Sequence, residues 1–363
     1  MKKIYFIDLC KNFLCSFLLI ISLTGCLGDI TVPPVDFGIN STAELLLYLE
    51  ENGDYINSTE TYSIITAEEV FNSLNEILVL DIRTSGDYTN GHIEGSVNLN
   101  HSALLDYIIN INPDTYEKIV IVSSAGQSAS YYATLLRLYG ISNIYVLKYG
   151  MASWHADFAS IWLNEIQDAG ITETFNNIYN EKNNFTVLPS LSFTNSQIGI
   201  EGKLGERIDI LLQEDFNELG ANSTVSITLD RLYNNNFDYF EQRFTDTYLI
   251  CASWDLYYYA QTGILDNPGH PPTTVLYNTI VPWYELRSTL YLQTLPIDET
   301  IVIYDYNGHI SATLTAYLRL LGYNAKSILF GYNGMHYSRM LEFPIFSNYT
   351  FTTAEIKNFP YVK

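Results

Sequence analysis

The sequence predicts an α/β protein of two similar units, each a mainly parallel sheet flanked by helices on both faces. Three observations predict it. Apolar β-type runs alternate with helical stretches. Those runs, Ile77 to Ile82, Ile119 to Val122 and Ile301 to Tyr304, are continuous rather than alternating, as in strands covered on both sides. A strand, glycine-containing loop and helix ending in L-R-L-x-G occurs twice, with Gly126 and Gly140 as far apart as Gly308 and Gly322, which marks an internal duplication.

At the N-terminus, Lys2, Lys3 and Lys11 precede an apolar run from Phe13 to Leu23 and the tetrapeptide Leu23-Thr24-Gly25-Cys26. The run is too short to span a bilayer and has the layout of a secretory signal. L-T-G-C resembles a bacterial lipobox, so residues 1–25 are expected to be removed and Cys26 to carry lipid. This implies a lipid-anchored, extracytoplasmic protein of the bacterial envelope, periplasmic or on the outer membrane. Cys10 and Cys15 leave with the signal, so Cys251 is then the only thiol left. That excludes an intrachain disulfide framework and an all-cysteine metal site. The formal net charge of −22 repels nucleic acid and anionic lipid headgroups, which excludes nucleic-acid binding.

Residues 26–59 read as a spacer with one helical stretch, Ala43 to Glu51. The first unit, 60–163, opens at Thr66-Ala67-Glu68-Glu69, a capping box whose helix carries Val70, Phe71 and Leu74 on one face. Its strands are Ile77 to Ile82, Ile119 to Val122 and Ile144 to Leu147, with a helix from about Ala129 to Tyr139. Residues 164–225 form a connector with helix expected around Glu206 to Leu219, because 60 or so wholly irregular residues would be unusual. The second unit, 226–345, has strands at Tyr248 to Ala252 and Ile301 to Tyr304 and a turn at Gly269-His270. Gly334-Met335 echoes Gly150-Met151. Residues 346–363 are a C-terminal tail.

Asp81-Ile82-Arg83, the run Tyr88 to Leu99 (Y-T-N-G-H-I-E-G-S-V-N-L), Gly126 to Ser130 and Gly150-Met151-Ala152-Ser153-Trp154 resemble the successive signatures of a rhodanese domain, the sulfurtransferase fold. The resemblance implies two rhodanese-like domains, the second divergent, since Cys251 and Ser253 stand where D-x-R is expected. In active members a cysteine at the start of the loop carries sulfane sulfur as a persulfide, its thiolate favoured by loop N–H groups and a helix N-terminus. Here the first loop residue is Ser123 in one unit and Asp305 in the other. A serine hydroxyl is a far poorer nucleophile, and a fixed carboxylate repels an anionic donor. No catalytic residue is therefore expected.

The loop Ser123, Ser124, Ala125, Gly126, Gln127 and Ser128 is a candidate site for a small anion, and its flanks offer Ser123 no base. In the second loop, Asp305, Tyr306, Asn307, Gly308 and His309, the aspartate is expected to cap the loop itself; with His309 it makes too few ligands for a metal site. No metal and no cofactor are expected. Asp81, Arg83, His92 and His270 are structural family positions. The tyrosines, 30 in all, include the run Tyr257-Tyr258-Tyr259 and serve core packing or an exposed binding platform. The expected function is binding of a protein or a small anion; the alternative is a sulfurtransferase or sulfur carrier using Cys251.

Overall fold

The computed structural model describes residues 40–194, 198–219, 223–255, 258, 269–279 and 284–363. All of them fall within one compact unit, Phe37–Lys363. The signal segment, Cys26, Tyr257 and Tyr259 lie outside the described residues.

Two five-stranded parallel sheets carry the fold. The first contains β1 (Ile64–Ile65), β2 (Leu78–Asp81), β3 (Val97–Asn98), β4 (Ile119–Val122) and β5 (Ile144–Leu147), in the order β1-β5-β4-β2-β3. The second contains β6 (Ser226–Ile227), β9 (Thr247–Ser253), β10 (Val275–Asn278), β11 (Thr300–Tyr304) and β12 (Ala325–Ile328), in the order β6-β12-β11-β9-β10. Counted from its own first strand, each repeat has the same arrangement. A two-residue antiparallel ribbon, β7 (Phe237–Asp238) with β8 (Arg243–Phe244), precedes β9. The central strands β4 and β11 bury every apolar side chain because helices cover both faces. Pairing fixes equivalence between repeats: Asp81 lies opposite Val122, and Cys251 lies opposite Tyr304.

Between the sheets, the helices Gln127–Tyr139 and His309–Leu320 pack on each other, and Thr134 Oγ1 donates to Thr313 Oγ1 across the contact at 3.2 Å. Almost every residue of both is buried, so the repeats share a central core, and each keeps a further apolar cluster on the other face of its sheet, around Val79, Val120 and Trp154 in the first and Leu249, Val302 and Tyr304 in the second. The helix Ile200–Leu212 rests on both of them through Leu204, Ile208, Leu211 and Leu212. It starts and stops earlier than the sequence suggests, because Phe216 is drawn away to pack on Tyr131 while its N–H donates to the Tyr132 hydroxyl.

The segment read as a spacer contains a structural element. Helix Ser41–Glu51 buries Leu45, Leu46 and Leu49 against Ile200–Leu212, and its Glu50 accepts the Ser288 N–H at 2.7 Å. The tail is equally engaged. Lys357 and Phe359 donate backbone N–H groups to Ser153 and Trp154, and Val362 exchanges two backbone hydrogen bonds with His92. The connector does the same to the second repeat, where Ala169 N–H donates to the Met335 carbonyl and Asn176 pairs with His270 in both directions. Each repeat thus lends the chain that follows it to the other.

One correspondence read from sequence is displaced. Gly334-Met335 matches Gly150-Met151 in letters, but Gly331-Tyr332 matches it in structure. Tyr149 and Phe330 have φ of 61° and 62°, and the glycines after them 59° and 52°. Met151 N–H donates to Ser123 O and Tyr332 N–H to Asp305 O, so each glycine presses on the start of its own loop. A Cβ at Gly331 would lie 2.4 Å from Asp305 O and 2.8 Å from Asn307 N, whereas at Gly334 its nearest atom is Phe330 Cβ at 3.3 Å. Gly331→Ala is therefore expected to cost about 3 kcal/mol in chemical denaturation, from backbone strain plus overpacking, and Gly334→Ala less than about 1 kcal/mol. Equal losses would reject the equivalence.

Candidate functional site: two anion cradles filled by carboxylates

The chain leaves β4 at Val122, makes the loop Ser123–Ser128, and enters its helix through Gly126, whose φ of 85° suits only glycine. The loop amides converge as the resemblance implies, but on a residue that sequence reasoning missed. Glu218 of the connector inserts its carboxylate there. Ser123 Oγ donates to Oε1 at 2.8 Å, Ser128 N–H to Oε1 at 2.8 Å and Ala125 N–H to Oε2 at 2.8 Å. Ser123 Oγ accepts the Gly126 N–H at 2.9 Å, so its hydroxyl is committed on both sides. Glu218 is 8% exposed, and the positive end of the helix adds to its hold. No sequence signal pointed to it: it lies 95 residues from Ser123, in a stretch without a motif.

Ser124 borders the cleft above the cradle, a space of about 790 Å³ also lined by Arg83, Asp87, Asp157, Asp215 and Glu218. Gln127 points elsewhere. Its Oε1 crosses to the second repeat and accepts the Phe330 N–H at 2.8 Å. The equivalent residue, His309, returns the favour: its Nε2 accepts the Tyr149 N–H at 3.2 Å. His309 Nδ1 pairs with Ser130 Oγ at 2.8 Å, and because that hydroxyl donates to Gly126 O, Nδ1 carries the proton. Complete burial pushes His309 down to about 3, so the ring is neutral.

In the second repeat the loop fills its own cradle. Asp305 Oδ1 accepts N–H groups of Gly308 (2.8 Å) and Ser311 (3.3 Å), and Oδ2 accepts those of Asn307 and Ile310, both at 3.3 Å. Burial raises its carboxyl above the ordinary range while these donors pull the other way. Asp305 and His309 point in different directions, one into its own loop and the other across to Tyr149. Tyr306 Oη bonds Ser253 Oγ at 2.6 Å.

The family positions frame the first cleft. Arg83 Nη2 reaches Asp81 Oδ2 at 2.6 Å and donates to Gly91 O at 2.8 Å, so this buried pair ties the glycine–histidine turn to the end of β2. His92 stacks on Tyr88 at 3.7 Å and bonds its carbonyl through Nδ1. His270 is fully buried, with Nε2 at 2.7 Å from the Tyr258 hydroxyl, which also places Tyr258 in the core. Cys251 is buried in β9 at the register position of Asp81, opposite Tyr304 and in one apolar cluster with Tyr304 and Tyr306.

Comparisons with known proteins match part of the chain. The rhodanese-like domain family matches residues 66–157. A thiosulfate sulfurtransferase GlpE of Shewanella oneidensis is 33% identical over 79 residues, covering 22% of this chain and 76% of that protein. The uncharacterized protein YibN of Escherichia coli is 28% identical over 99 residues, covering 26% of this chain and 69% of the relative. Among solved structures, a rhodanese-related protein from Thermoplasma volcanium is 25% identical, covers 26% of this chain and 90% of its own, and has a TM-score of 0.24. A rhodanese-like domain protein from Staphylococcus aureus is 23% identical over 24% of this chain and 87% of its own, with a TM-score of 0.22. With the Asp81–Arg83 pair, the Gly91-His92 turn and the Ser123–Ser128 loop assembled around one cleft within the matched residues, the chain belongs to the rhodanese-like family.

Proposed function

We propose that this chain is a tandem rhodanese-like protein that does not transfer sulfur and acts by binding, held at the bacterial envelope through lipid on Cys26. The observation that carries the reading is the filling of both cradles. Ser123 and Asp305 stand where active members of the family hold the nucleophilic cysteine. The amides that would stabilise a persulfide or its anionic donor are taken by Glu218 and Asp305. A free small anion would have to displace Glu218, so the first cleft is better suited to a protein segment. Its carboxylates, Asp87, Asp157 and Asp215, together with the net charge of −22, suit a basic one.

Transfer through Cys251 is disfavoured by its burial, since a sulfur carrier must meet both donor and acceptor. In a thiosulfate-to-cyanide transfer assay the natural protein and Cys251→Ser are both expected at background. Activity in the natural protein that Cys251→Ser removes would overturn the reading.

A further inference from the structure

The two ends of the second sheet differ in chemistry. Where its strands finish, the Asp305 loop meets the loop of the first repeat: a Cβ on Gly308 would lie 2.2 Å from Gln127 Oε1, and one on Gly126 2.5 Å from His309 Cε1. Both loops, and the first cleft with them, therefore lie at one end of the fold. At the opposite end, where β9, β10 and β11 begin, the connector crosses beneath the strands. Asn180 bridges to Val275 at the head of β10, and Thr186 N–H donates to the Gln293 carbonyl at 2.7 Å in the segment leading to β11. The β7–β8 ribbon runs directly into β9, and Asp246 O between them accepts the Thr300 N–H at the head of β11. Ile178, Phe185 and Val187 of the connector, Tyr239 and Phe240 of the ribbon turn, and Ile297 just before β11 all expose apolar side chains there, Val187 at 67% and Phe240 at 91%.

Exposed apolar side chains scattered singly need no explanation, but six supplied to one end by three separate segments form a surface. Phe240 is held out rigidly. Asp238 Oδ1 accepts the N–H groups of Phe240 and Glu241 at 2.8 and 3.1 Å, and Phe237 packs on Tyr239 and on Phe244 beneath the turn, with ring centroids 4.9 Å apart in each pair. The start of helix Ser41–Glu51 indicates what meets this end. Its N-cap Asn40 donates Nδ2–H to the Pro189 carbonyl at 3.2 Å, two residues beyond Val187. Thirteen residues separate Asn40 from Cys26, a reach of at most about 50 Å. Lipid on Cys26 thus keeps the apolar end at high effective concentration beside a bilayer. Among the described residues no helix is long and apolar enough to cross a membrane, so the contact is with the bilayer surface.

We propose that this end of the second repeat rests on the bilayer that holds the Cys26 lipid, with Phe240 and Val187 at the boundary of headgroups and acyl chains and the first cleft turned to the aqueous side. The inference rests on the lipid anchor proposed above. Asp246, Asp298 and Glu299 stand together at the same end, so a zwitterionic surface suits it better than an anionic one. The test uses the lipidated chain on phosphatidylcholine vesicles, with a nitroxide attached to Val187→Cys, to Phe240→Cys or, as a control lining the first cleft, to Asn90→Cys. Cys251 is buried and Cys26 is blocked by its lipid, so each variant takes one label. Labels on Val187→Cys and Phe240→Cys are expected to collide with a water-soluble nickel chelate about fivefold less often than the label on Asn90→Cys. Equal collision rates at all three positions in a chain bound through lipid would overturn this proposal and leave the anchor standing. A Cys26 peptide that carries no lipid by mass would overturn the anchor and this proposal with it.

Discussion

Replacing Ser123 by cysteine is expected to restore little sulfur transfer on its own, and replacing it together with Glu218→Ala is expected to restore much more. The nucleophile position would be regained in both, but in the single variant the new sulfur lies within hydrogen-bond distance of a buried carboxylate, as Ser123 Oγ does now at 2.8 Å. Two like charges about 4 Å apart repel by about 4 kcal/mol at an effective dielectric constant of about 20, equivalent to roughly three pKa units on the thiol. Clearing Glu218 also frees the Ala125 and Ser128 amides for the thiolate. Glu218 can escape part of the repulsion by turning into the cleft, so the expected ratio of double to single variant is on the order of 100-fold in thiosulfate-to-cyanide transfer. Ser123→Cys with Glu218→Gln separates charge from occupancy and should fall between the two. Full activity in Ser123→Cys alone would show that Glu218 does not hold the cradle.

The second large effect is on stability against pH. His309 is neutral in the folded chain, depressed to about 3 by burial between the repeats, against about 6.5 unfolded. The unfolded chain therefore binds a proton that the folded chain refuses, and stability falls as pH drops through the window from about 6.5 to about 3. The loss contributed by this residue is about 2 kcal/mol at pH 5 and about 4 kcal/mol at pH 3. Gln127 already shows the uncharged solution at the equivalent position, accepting the Phe330 N–H. His309→Gln should accept the Tyr149 N–H in the same way and flatten the acid limb of the denaturation profile. A residual slope is expected from His270, which burial depresses in the same direction. Parallel profiles for the natural protein and His309→Gln would mean that the ring gains access to water in the folded state.

Local grammar made much of the fold legible. Thr66 and Glu69 form the reciprocal cap that their spacing predicts. Ile119–Val122 and Ile144–Leu147 are strands at the residues where their apolar runs occur, because buried parallel strands leave no room for polar side chains. Correspondence between the repeats was readable up to Gly322 and then failed. The letters of Gly334-Met335 copy Gly150-Met151, while the backbone conformation that the loop requires falls at Phe330-Gly331.

What sequence withheld is tertiary in origin. Glu218 looks like any acidic connector residue until the chain returns it to the Ser123 loop. The exchanged segments 167–176 and 357–362 bind through backbone hydrogen bonds and through contacts such as Phe359 on Trp154 and Asp168 on His336, pairs that only the folded chain brings together. Helix Ser41–Glu51 shows its apolar face in Leu45, Leu46 and Leu49, yet only the position of Ile200–Leu212 tells that the face is covered from within the same chain. The rhodanese motifs located the site; its occupant came from outside them.

The most direct test of a protein with both cradles filled is the intact mass of the purified natural chain after incubation with thiosulfate and removal of the excess. No change in mass is predicted, because neither loop offers a thiol and Cys251 is sealed in β9. A stable gain of one sulfur atom, traced to Cys251 by peptide mapping, would contradict the account and make this chain a sulfur carrier.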